Sequence, residues 1–270
     1  MATGRGGDRP GFPPVRKSLG QHFLHDQTVL ERIAESAQLT GSETVIEIGP
    51  GRGALTDLLV ERAGRLIAIE YDRALASQLV ARYTTRKNVE IVQADVLTVD
   101  FGALAKGPYR LIGNVPYYLT TPIIFQALEP PRPDLAVYLV QREVADRLVS
   151  PPGSKEYGAL TINVGAVANV EIMFLVAATS FKPPPKVESA VVRITPRAVP
   201  LVPPDQEAKF RALVQSIFTM RRKQMQRIMR SLWNLDAEAA TERLARAGID
   251  PMARPETLDI AAFARLLALV

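Results

Sequence analysis

Residues 44–53 have the sequence TVIEIGPGRG, in which a short apolar run meets a turn with three glycines. The apolar run 44–48 predicts a buried β-strand. Gly49, Gly51 and Gly53 predict a tight turn into a helix over 54–63, and such a turn lets a ligand approach the backbone closely. The stretch therefore indicates an open α/β sheet with a ligand site at the end of this strand.

The alternation of strand and helix continues along the chain as far as residue 195. Apolar runs predict six further strands, at 65–70, 89–93, 109–113, 135–141, 170–176 and 190–194, and helical patterns cover 73–83, 122–128, 143–149 and 159–168. Such alternation predicts an α/β fold with a mostly parallel, seven-stranded sheet that has helices on both faces. The last two strands lack a long helix between them, which allows one of them to run antiparallel.

Two segments lie outside this pattern. Residues 196–204 contain four prolines and predict a domain boundary. Helical patterns at 205–218, 221–233, 237–247 and 255–267 predict a small all-helical C-terminal domain over 199–270. Residues 1–16, rich in Gly, Pro and Arg, predict a disordered basic arm, which leaves 17–198 for the α/β domain.

Composition narrows the class of protein. The 270 residues include no cysteine, so disulfides, thiolate metal sites and cysteine nucleophiles are excluded. No apolar run approaches the roughly 18 residues of a membrane-spanning helix, and the N-terminus lacks the apolar segment of a signal peptide. We therefore expect a cytoplasmic protein without a membrane partner and without a metal.

The charge is distributed unevenly. Residues 1–20 carry four basic and one acidic side chain, residues 21–180 carry 14 basic and 18 acidic, and residues 181–270 carry 15 basic and 9 acidic. Basic flanks around a slightly acidic body suit a polyanionic partner. A solvated basic surface would give the same pattern.

Two acidic residues follow the next two predicted strands. Glu70 ends the second strand and Asp95 follows the third. At the carboxyl ends of neighbouring strands, Glu70 could accept hydrogen bonds from a ribose and Asp95 from an adenine amino group. Alternatively, Glu70 is a surface acid and Asp95 a helix cap. With the glycine turn, the order of these residues favours a nucleotide-like cofactor, for which NAD is a competing candidate.

The run Asn114-Val115-Pro116-Tyr117 follows the fourth strand. The Asn114 side chain and the Val115 carbonyl, which Pro116 helps to orient, offer two acceptors to an exocyclic amine, and the Tyr117 ring offers a stacking surface. Such acceptors stabilise the positive charge that develops on the amine nitrogen. The pattern indicates methyl transfer to a base, whereas a structural proline turn is the alternative.

Six motifs together resemble one enzyme family, the ribosomal RNA adenine dimethyltransferases, and most closely its small-subunit type. In one-letter code they are SLGQHFL at 18–24, EIGPGRG at 47–53, NVPY at 114–117, KEYG at 155–158, FKPPPKVES at 181–189 and FTMRRK at 218–223. The resemblance implies a Rossmann-like class I methyltransferase that uses S-adenosylmethionine. It also implies dimethylation at N6 of two adjacent adenines in the 3′-terminal hairpin of 16S rRNA, within the 30S subunit or its precursor.

The resemblance further implies individual roles. The cofactor would be bound by His22, Leu24, Gly49, Gly51, Glu70, Asp95 and Asn114. Tyr117 and Phe181 would be the two aromatic faces that hold the target base, beside Asn114, Val115 and Pro116. The family often has Asn at the position of His22, so the kind of contact made there stays open, and Val115 replaces a commoner Leu.

Basic residues of the C-terminal region are candidates for RNA binding. Arg221, Arg222 and Lys223 begin a predicted helix, and Arg227 and Arg230 follow on it. A stripe of this kind would contact phosphates, although a solvated helix face is the alternative. We expect a monomer. The rival functions are a 23S rRNA dimethyltransferase of the antibiotic-resistance type, a non-catalytic nucleic-acid-binding relative and an NAD-dependent oxidoreductase.

Overall fold

The computed structural model describes residues 21–269, which form two compact units. The first unit contains residues 21–145 and 171–195, and the second contains residues 146–170 and 196–269. The second unit thus includes a segment, 146–170, that the sequence analysis placed in the α/β domain. The functional division into a methyltransferase domain and an RNA-binding domain stays a prediction, and the predicted arm over 1–16 lies outside the described residues.

The described strands, in chain order, are β1 (Phe23–Leu24), β2 (Thr44–Ile48), β3 (Arg65–Glu70), β4 (Val89–Gln93), β5 (Tyr109–Asn114), β6 (Leu135–Gln141), β7 (Ala168–Val176), β8 (Phe181–Lys182) and β9 (Ser189–Pro196). Seven of them form one sheet in the order β4-β3-β2-β5-β6-β9-β7. Strands β2 to β6 pair in parallel, whereas β9 runs antiparallel to β6. The predicted mostly parallel seven-stranded sheet is confirmed.

The described helices are α1 (Gln27–Ser36), α2 (Thr56–Val60), α3 (Arg73–Tyr83), α4 (Phe101–Ala105), α5 (Thr120–Ala127), α6 (Arg142–Val149), α7 (Ala159–Gly165), α8 (Glu207–Phe218), α9 (Met225–Trp233), α10 (Ala237–Arg246) and α11 (Ile260–Leu267). The helices α1 and α4 and the short strands β1 and β8 were not predicted from the sequence. Elsewhere the element types agree and the boundaries shift by a few residues.

One predicted helix start was wrong. The helix expected from residue 221 begins at Met225, because Gln224 has an extended backbone that cannot continue a helix from the preceding turn. The N–H groups of Arg221 and Lys223 donate to the carbonyls of Phe218 and Met220, which closes that turn. Arg221, Arg222 and Lys223 therefore lie on a turn, and only Arg227 and Arg230 lie on α9.

The parallel register brings the ends of four strands to the same edge of the sheet. Ile48 at the end of β2 is level with Ile69 of β3 and Gly113 of β5, and Glu70 is level with Gln93 of β4. The residues that follow these strands are therefore neighbours, as expected for the ligand-binding edge of an open α/β sheet.

The short strand β1 is attached to the first unit by non-local contacts. Phe23 pairs with Lys182 and Leu24 with Phe181, both antiparallel, and the His25 N–H donates to the Ser180 carbonyl over 3.0 Å. Next to this pair, Asp26 caps α1 by accepting from the N–H groups of Thr28 and Val29. The other carboxylate oxygen of Asp26 accepts from the Ser180 hydroxyl over 3.0 Å.

Replacement of Asp26 tests this attachment. We expect Asp26→Ala to lower the free energy of unfolding by about 2 kcal/mol, because it removes both a helix cap and the bond to Ser180. Asp100→Ala is the control, since Asp100 caps α4 at the Ala103 N–H and makes no second side-chain bond to any residue that the structure describes. Urea unfolding followed by circular dichroism measures both, and equal losses would contradict a role for the Ser180 bond.

Candidate cofactor and acceptor site

A cavity of about 330 Å³ lies in the first unit, at the carboxyl edge of the sheet. Its volume is typical of a site for a small molecule or cofactor. The predicted site residues that line it are His22, Leu24, Gly49, Gly51, Glu70, Asp95, Asn114, Val115, Pro116 and Tyr117. The structure thus brings together every predicted residue of the cofactor and acceptor sites except Phe181. Their individual roles stay predictions.

The glycine turn after β2 forms part of the cavity lining. Gly49 has φ +68°, and a Cβ at this position would lie 3.2 Å from the main-chain oxygen of Asn114. Gly51 has φ +56°, and a Cβ there would lie 3.0 Å from the Phe23 ring. Glycine is favoured at both positions by its backbone conformation and by the close packing. At these two positions the turn therefore presents main chain, rather than a side chain, to the cavity.

Glu70 is buried, with 7% of its surface exposed, and is bound on both carboxylate oxygens. The Gly51 N–H donates to Oε2 over 3.0 Å, and the Asp72 N–H donates to Oε1 over 2.8 Å. Burial raises the pKa of Glu70, while these two donors act against the rise. The bond to Gly51 also connects the glycine turn to the end of β3.

The position of Asp95 is compatible with both roles predicted for it, which are binding an adenine amino group and capping a helix. It is exposed, it lines the cavity, and its Oδ1 accepts from the Leu97 N–H over 3.0 Å. That bond caps the short 3₁₀ helix Val96–Thr98. Since a carboxylate has acceptor capacity beyond one hydrogen bond, the cap is compatible with binding a ligand as well.

The side chain of Asn114 is oriented by the segment before β1. Its amide nitrogen donates to the main-chain oxygen of His22 over 3.4 Å. Because that partner accepts only, the Nδ2 end of the amide faces His22. Within residues 21–269 the Oδ1 end has no hydrogen bond, so it is the end that can accept from a ligand.

Tyr117 is half-buried, and both its ring and its hydroxyl contact other side chains. Its ring stacks on the His22 imidazole with the centroids 6.1 Å apart and the planes 21° from parallel. Its hydroxyl lies 2.8 Å from the Ser189 hydroxyl, and burial raises its pKa. The His22 ring is in turn 2.8 Å, through Nδ1, from the Pro183 carbonyl oxygen. Tyr117 therefore has a defined position beside Asn114 in the cavity wall.

Phe181 is not part of the cavity lining. Its side chain is only 3% exposed and packs in the hydrophobic cluster with residues such as Leu24 and Val176. The backbone of Phe181 pairs with Leu24, a lining residue, so it is near the site through β8 rather than through its ring. Its assignment to base stacking stays a prediction that this position does not support.

Glu47 is a cavity residue that the sequence analysis did not single out. It lies on β2, its side chain is 2% exposed, and its Oε2 has no hydrogen-bond partner among the described residues. Burial raises the pKa of Glu47 to about 8. An acidic residue inside an otherwise apolar strand was the signal that could have identified it.

The basic residues of the second unit fall into two groups. The Arg221 Nε donates to Glu256 over 2.7 Å, and its Nη2 donates to the carbonyls of Ser154 and Lys155. Arg222, Lys223, Arg227 and Arg230 are exposed. Arg221 therefore holds the second unit together, whereas the others are available to solvent.

Two features are absent from residues 21–269. No cluster of three or more His, Cys, Asp or Glu side chains there could hold a metal ion. No helix in that part of the chain is long and apolar enough to cross a membrane.

Comparison with known proteins assigns the family. The family model for ribosomal RNA adenine dimethylase matches residues 14–269. The chain belongs to this family. It is 42% identical to ribosomal RNA small subunit methyltransferase A of Pelotomaculum thermopropionicum, covering 96% of this chain and 92% of that one. The protein of the same name from Acinetobacter baylyi is 40% identical, with 93% and 91% covered.

Solved structures agree with this assignment. A dimethyladenosine transferase from Plasmodium falciparum aligns with a TM-score of 0.78 at 25% identity, covering 92% of this chain and 96% of that one. The 23S rRNA methyltransferase ErmE aligns with a TM-score of 0.71 at 30% identity, covering 91% and 98%. The predicted Rossmann-like class I methyltransferase fold and the predicted enzyme class, an rRNA adenine dimethyltransferase, are confirmed. Family membership argues against the NAD-dependent oxidoreductase.

The raised pKa of Glu47 makes a prediction about stability. The unfolded chain ionises this group near pH 4.5 and the folded chain only near pH 8, so its contribution to stability is present below pH 4.5 and is lost as the pH rises to 8. We expect Glu47→Gln to be more stable than the wild type at pH 8, by a margin that shrinks towards pH 5. Urea unfolding of both proteins from pH 5 to 8 measures this margin. A margin independent of pH would show that Glu47 is already ionised in the fold.

Proposed function

We propose that this protein dimethylates N6 of two adjacent adenines in the 3′-terminal hairpin of 16S rRNA, with S-adenosylmethionine as methyl donor. The substrate is the 30S subunit or its precursor, and the enzyme acts as a cytoplasmic monomer in ribosome biogenesis. The names of the curated relatives, small subunit methyltransferase A at 40–42% identity, favour this target over 23S rRNA, since ErmE is 30% identical.

The residues of the cavity suit S-adenosylmethionine. The turn at Gly49 and Gly51 accepts a ligand against main chain, Glu70 follows the strand beside it, and Asp95 follows the next. We assign Gly49 to the methionine part, Glu70 to the ribose hydroxyls and Asp95 to the adenine amino group, with His22 and Leu24 closing the pocket from the N-terminal side. When bound, S-adenosylmethionine supplies an electrophilic methyl group on a sulfonium.

The acceptor half of the site prepares the target amine. The Oδ1 of Asn114, left available by the bond from Nδ2 to His22, and the Val115 carbonyl accept the two amine hydrogens. These bonds favour a pyramidal nitrogen with its lone pair directed at the methyl group, and they stabilise the positive charge that develops there. Tyr117 supplies a stacking face for the base, which leaves its own stack at a cost of a few kcal/mol.

Binding of rRNA is assigned to exposed cations of the second unit. Arg222 and Lys223 project from the turn before α9, and Arg227 lies on the exposed side of α9, whose buried side consists of Met225, Ile228 and Met229. Their charges suit phosphates, so we expect binding to weaken with salt. Arg221 supports this surface through its bonds to Glu256 and to residues 154–155, rather than by contacting RNA.

Mass spectrometry of nucleosides tests the function directly. We expect 30S particles that lack the modification, incubated with this protein and S-adenosylmethionine, to yield N6,N6-dimethyladenosine, and 50S particles to yield none.

Asn114→Ala should slow methylation at least about 100-fold, because an acceptor of the amine is lost. Its Kd for the cofactor should change little. Modification of 50S instead would favour the 23S alternative, no modification would favour a non-catalytic relative, and normal turnover of the variant would remove Asn114 from the mechanism.

Because Arg222 and Lys223 are exposed and Arg221 is hydrogen-bonded within the second unit, their replacement is expected to have different effects. We expect the double variant Arg222→Ala/Lys223→Ala to lower the slope of log affinity for 30S against log salt concentration by up to about two, with unchanged stability. Arg221→Ala should instead lower the free energy of unfolding by about 1–3 kcal/mol, since charged hydrogen bonds are lost. Filter binding and urea unfolding measure the two effects.

Lys209→Ala is the control for these variants, because it removes one exposed charge from α8 of the same unit. A salt slope that is the same for the double variant and the wild type would exclude Arg222 and Lys223 from phosphate contacts. If Arg221→Ala is as stable as the wild type and has a reduced salt slope, Arg221 contacts RNA instead.

A further inference from the structure

One carboxyl group of the cavity, that of Glu47, has no task in the function proposed above. It lies on β2, two residues before Gly49, and its neighbours across the sheet are Ala68 and Ile112. Its side chain is almost fully buried in a wall formed largely by apolar groups, and Oε2 has no hydrogen-bond partner within the described part of the chain. A buried carboxylate without partners is costly, so an empty site favours its neutral form.

The charged and polar groups that face Glu47 compensate a negative charge only in part. From α2 come Asp57 and the Thr56 hydroxyl; the hydroxyl acts against the rise in the pKa of Glu47, although its geometry falls short of a hydrogen bond. From β3 comes Glu70, and from α3 comes Tyr83. The nearby cation of α3, Arg82, is bound to Asp57 over 2.5 Å, and the Tyr83 hydroxyl donates to the same carboxylate over 2.7 Å. Acidic neighbours therefore add to the effect of burial, which is consistent with the pKa of about 8.

Glu70 differs from Glu47 in the number of hydrogen-bond donors that support its ionised form. Both oxygens of Glu70 accept main-chain N–H groups, from Gly51 and Asp72, and such donors stabilise the ionised form. The Oε2 of Glu47 accepts none in the described region. Glu47 is thus the less supported of these two carboxyl groups in its ionised form.

We propose that Glu47 is a positioning residue that holds a proton in the empty site and releases it when a cationic sulfonium cofactor binds. This inference rests on the proposed function. On binding, the O–H bond of the Glu47 carboxyl breaks, the proton passes to the buffer, and the carboxylate faces a ligand that carries a positive sulfur. No bond of the ligand changes.

The proposal has a consequence for turnover. S-adenosylhomocysteine, the product of methyl transfer, has a neutral sulfur and lacks the charge that would hold Glu47 in its ionised form. Binding of the donor should therefore tighten as the pH rises towards 8, whereas binding of the product should not. Since a linked proton is worth up to tenfold in affinity per pH unit, the site discriminates donor from product by charge.

Isothermal titration calorimetry of the full chain without RNA tests this. S-adenosylmethionine and S-adenosylhomocysteine are each titrated at pH 7 in phosphate and in Tris, whose heats of ionisation differ, so that the difference in heat counts the protons released. We expect release of about half a proton or more with S-adenosylmethionine and clearly less with S-adenosylhomocysteine. Between pH 6 and 7 the Kd of the donor should fall by up to about tenfold, and that of the product by less than about twofold.

Variants assign the proton to Glu47. Glu47→Gln should abolish the difference between the two ligands in proton release. Glu61→Gln should preserve it, because Glu61 is an exposed acid at the end of α2 that pairs with Arg86. If Glu47→Gln does not fold, as judged by circular dichroism, proton release by the wild type is still compared between the two ligands. Equal release would still overturn the inference.

The possible outcomes separate this inference from the function on which it rests. Equal proton release with both ligands, or release that persists in Glu47→Gln, would overturn the inference and leave the proposed function intact. Failure of both ligands to bind would overturn the cofactor assignment and the inference together.

Discussion

The close packing of the glycine turn against the end of β5 is the constraint on which the site depends. Parallel pairing brings Ile48 level with Gly113, so the turn at Gly49 packs against the main chain of Asn114, where a Cβ would make a tight contact of 3.2 Å. The Gly49 N–H also donates to the Ile69 carbonyl of β3 over 3.0 Å. One turn therefore packs against two strand ends, which brings the residues proposed to bind the cofactor and those proposed to bind the target amine into one cavity.

The central sheet could be predicted from the sequence because its signals are local. The strands β2, β3, β4 and β6 have the predicted boundaries, since each is a short apolar run between turns. The pair β1 and β8 could not be predicted in this way, because each has two residues and exists only through a partner more than 150 positions away. The helix at α9 shows a different limit, since helical residue types continue through a turn that only the backbone at Gln224 reveals.

The same distinction explains which parts of the site could be predicted. Glu70, Asp95 and Asn114 follow strands, so strand order was enough to bring them to one edge. The state of a side chain is set by its surroundings in three dimensions. Phe181 is suited by type to stacking but packs in the hydrophobic cluster beside the cavity. Arg221 is suited to phosphate but pairs with Glu256, and Glu47 resembles an ordinary acid until its burial is known.

The bond from Asn114 to the His22 carbonyl gives the beginning of the described chain a part in the chemistry. An unbound primary amide can turn by half a revolution and present nitrogen where oxygen is needed, with little change in shape. The α/β core alone does not choose between these two orientations; the docked N-terminal segment does. In the proposed mechanism the core therefore forms the pocket, and the segment before β1 fixes which end of the Asn114 amide faces the target amine.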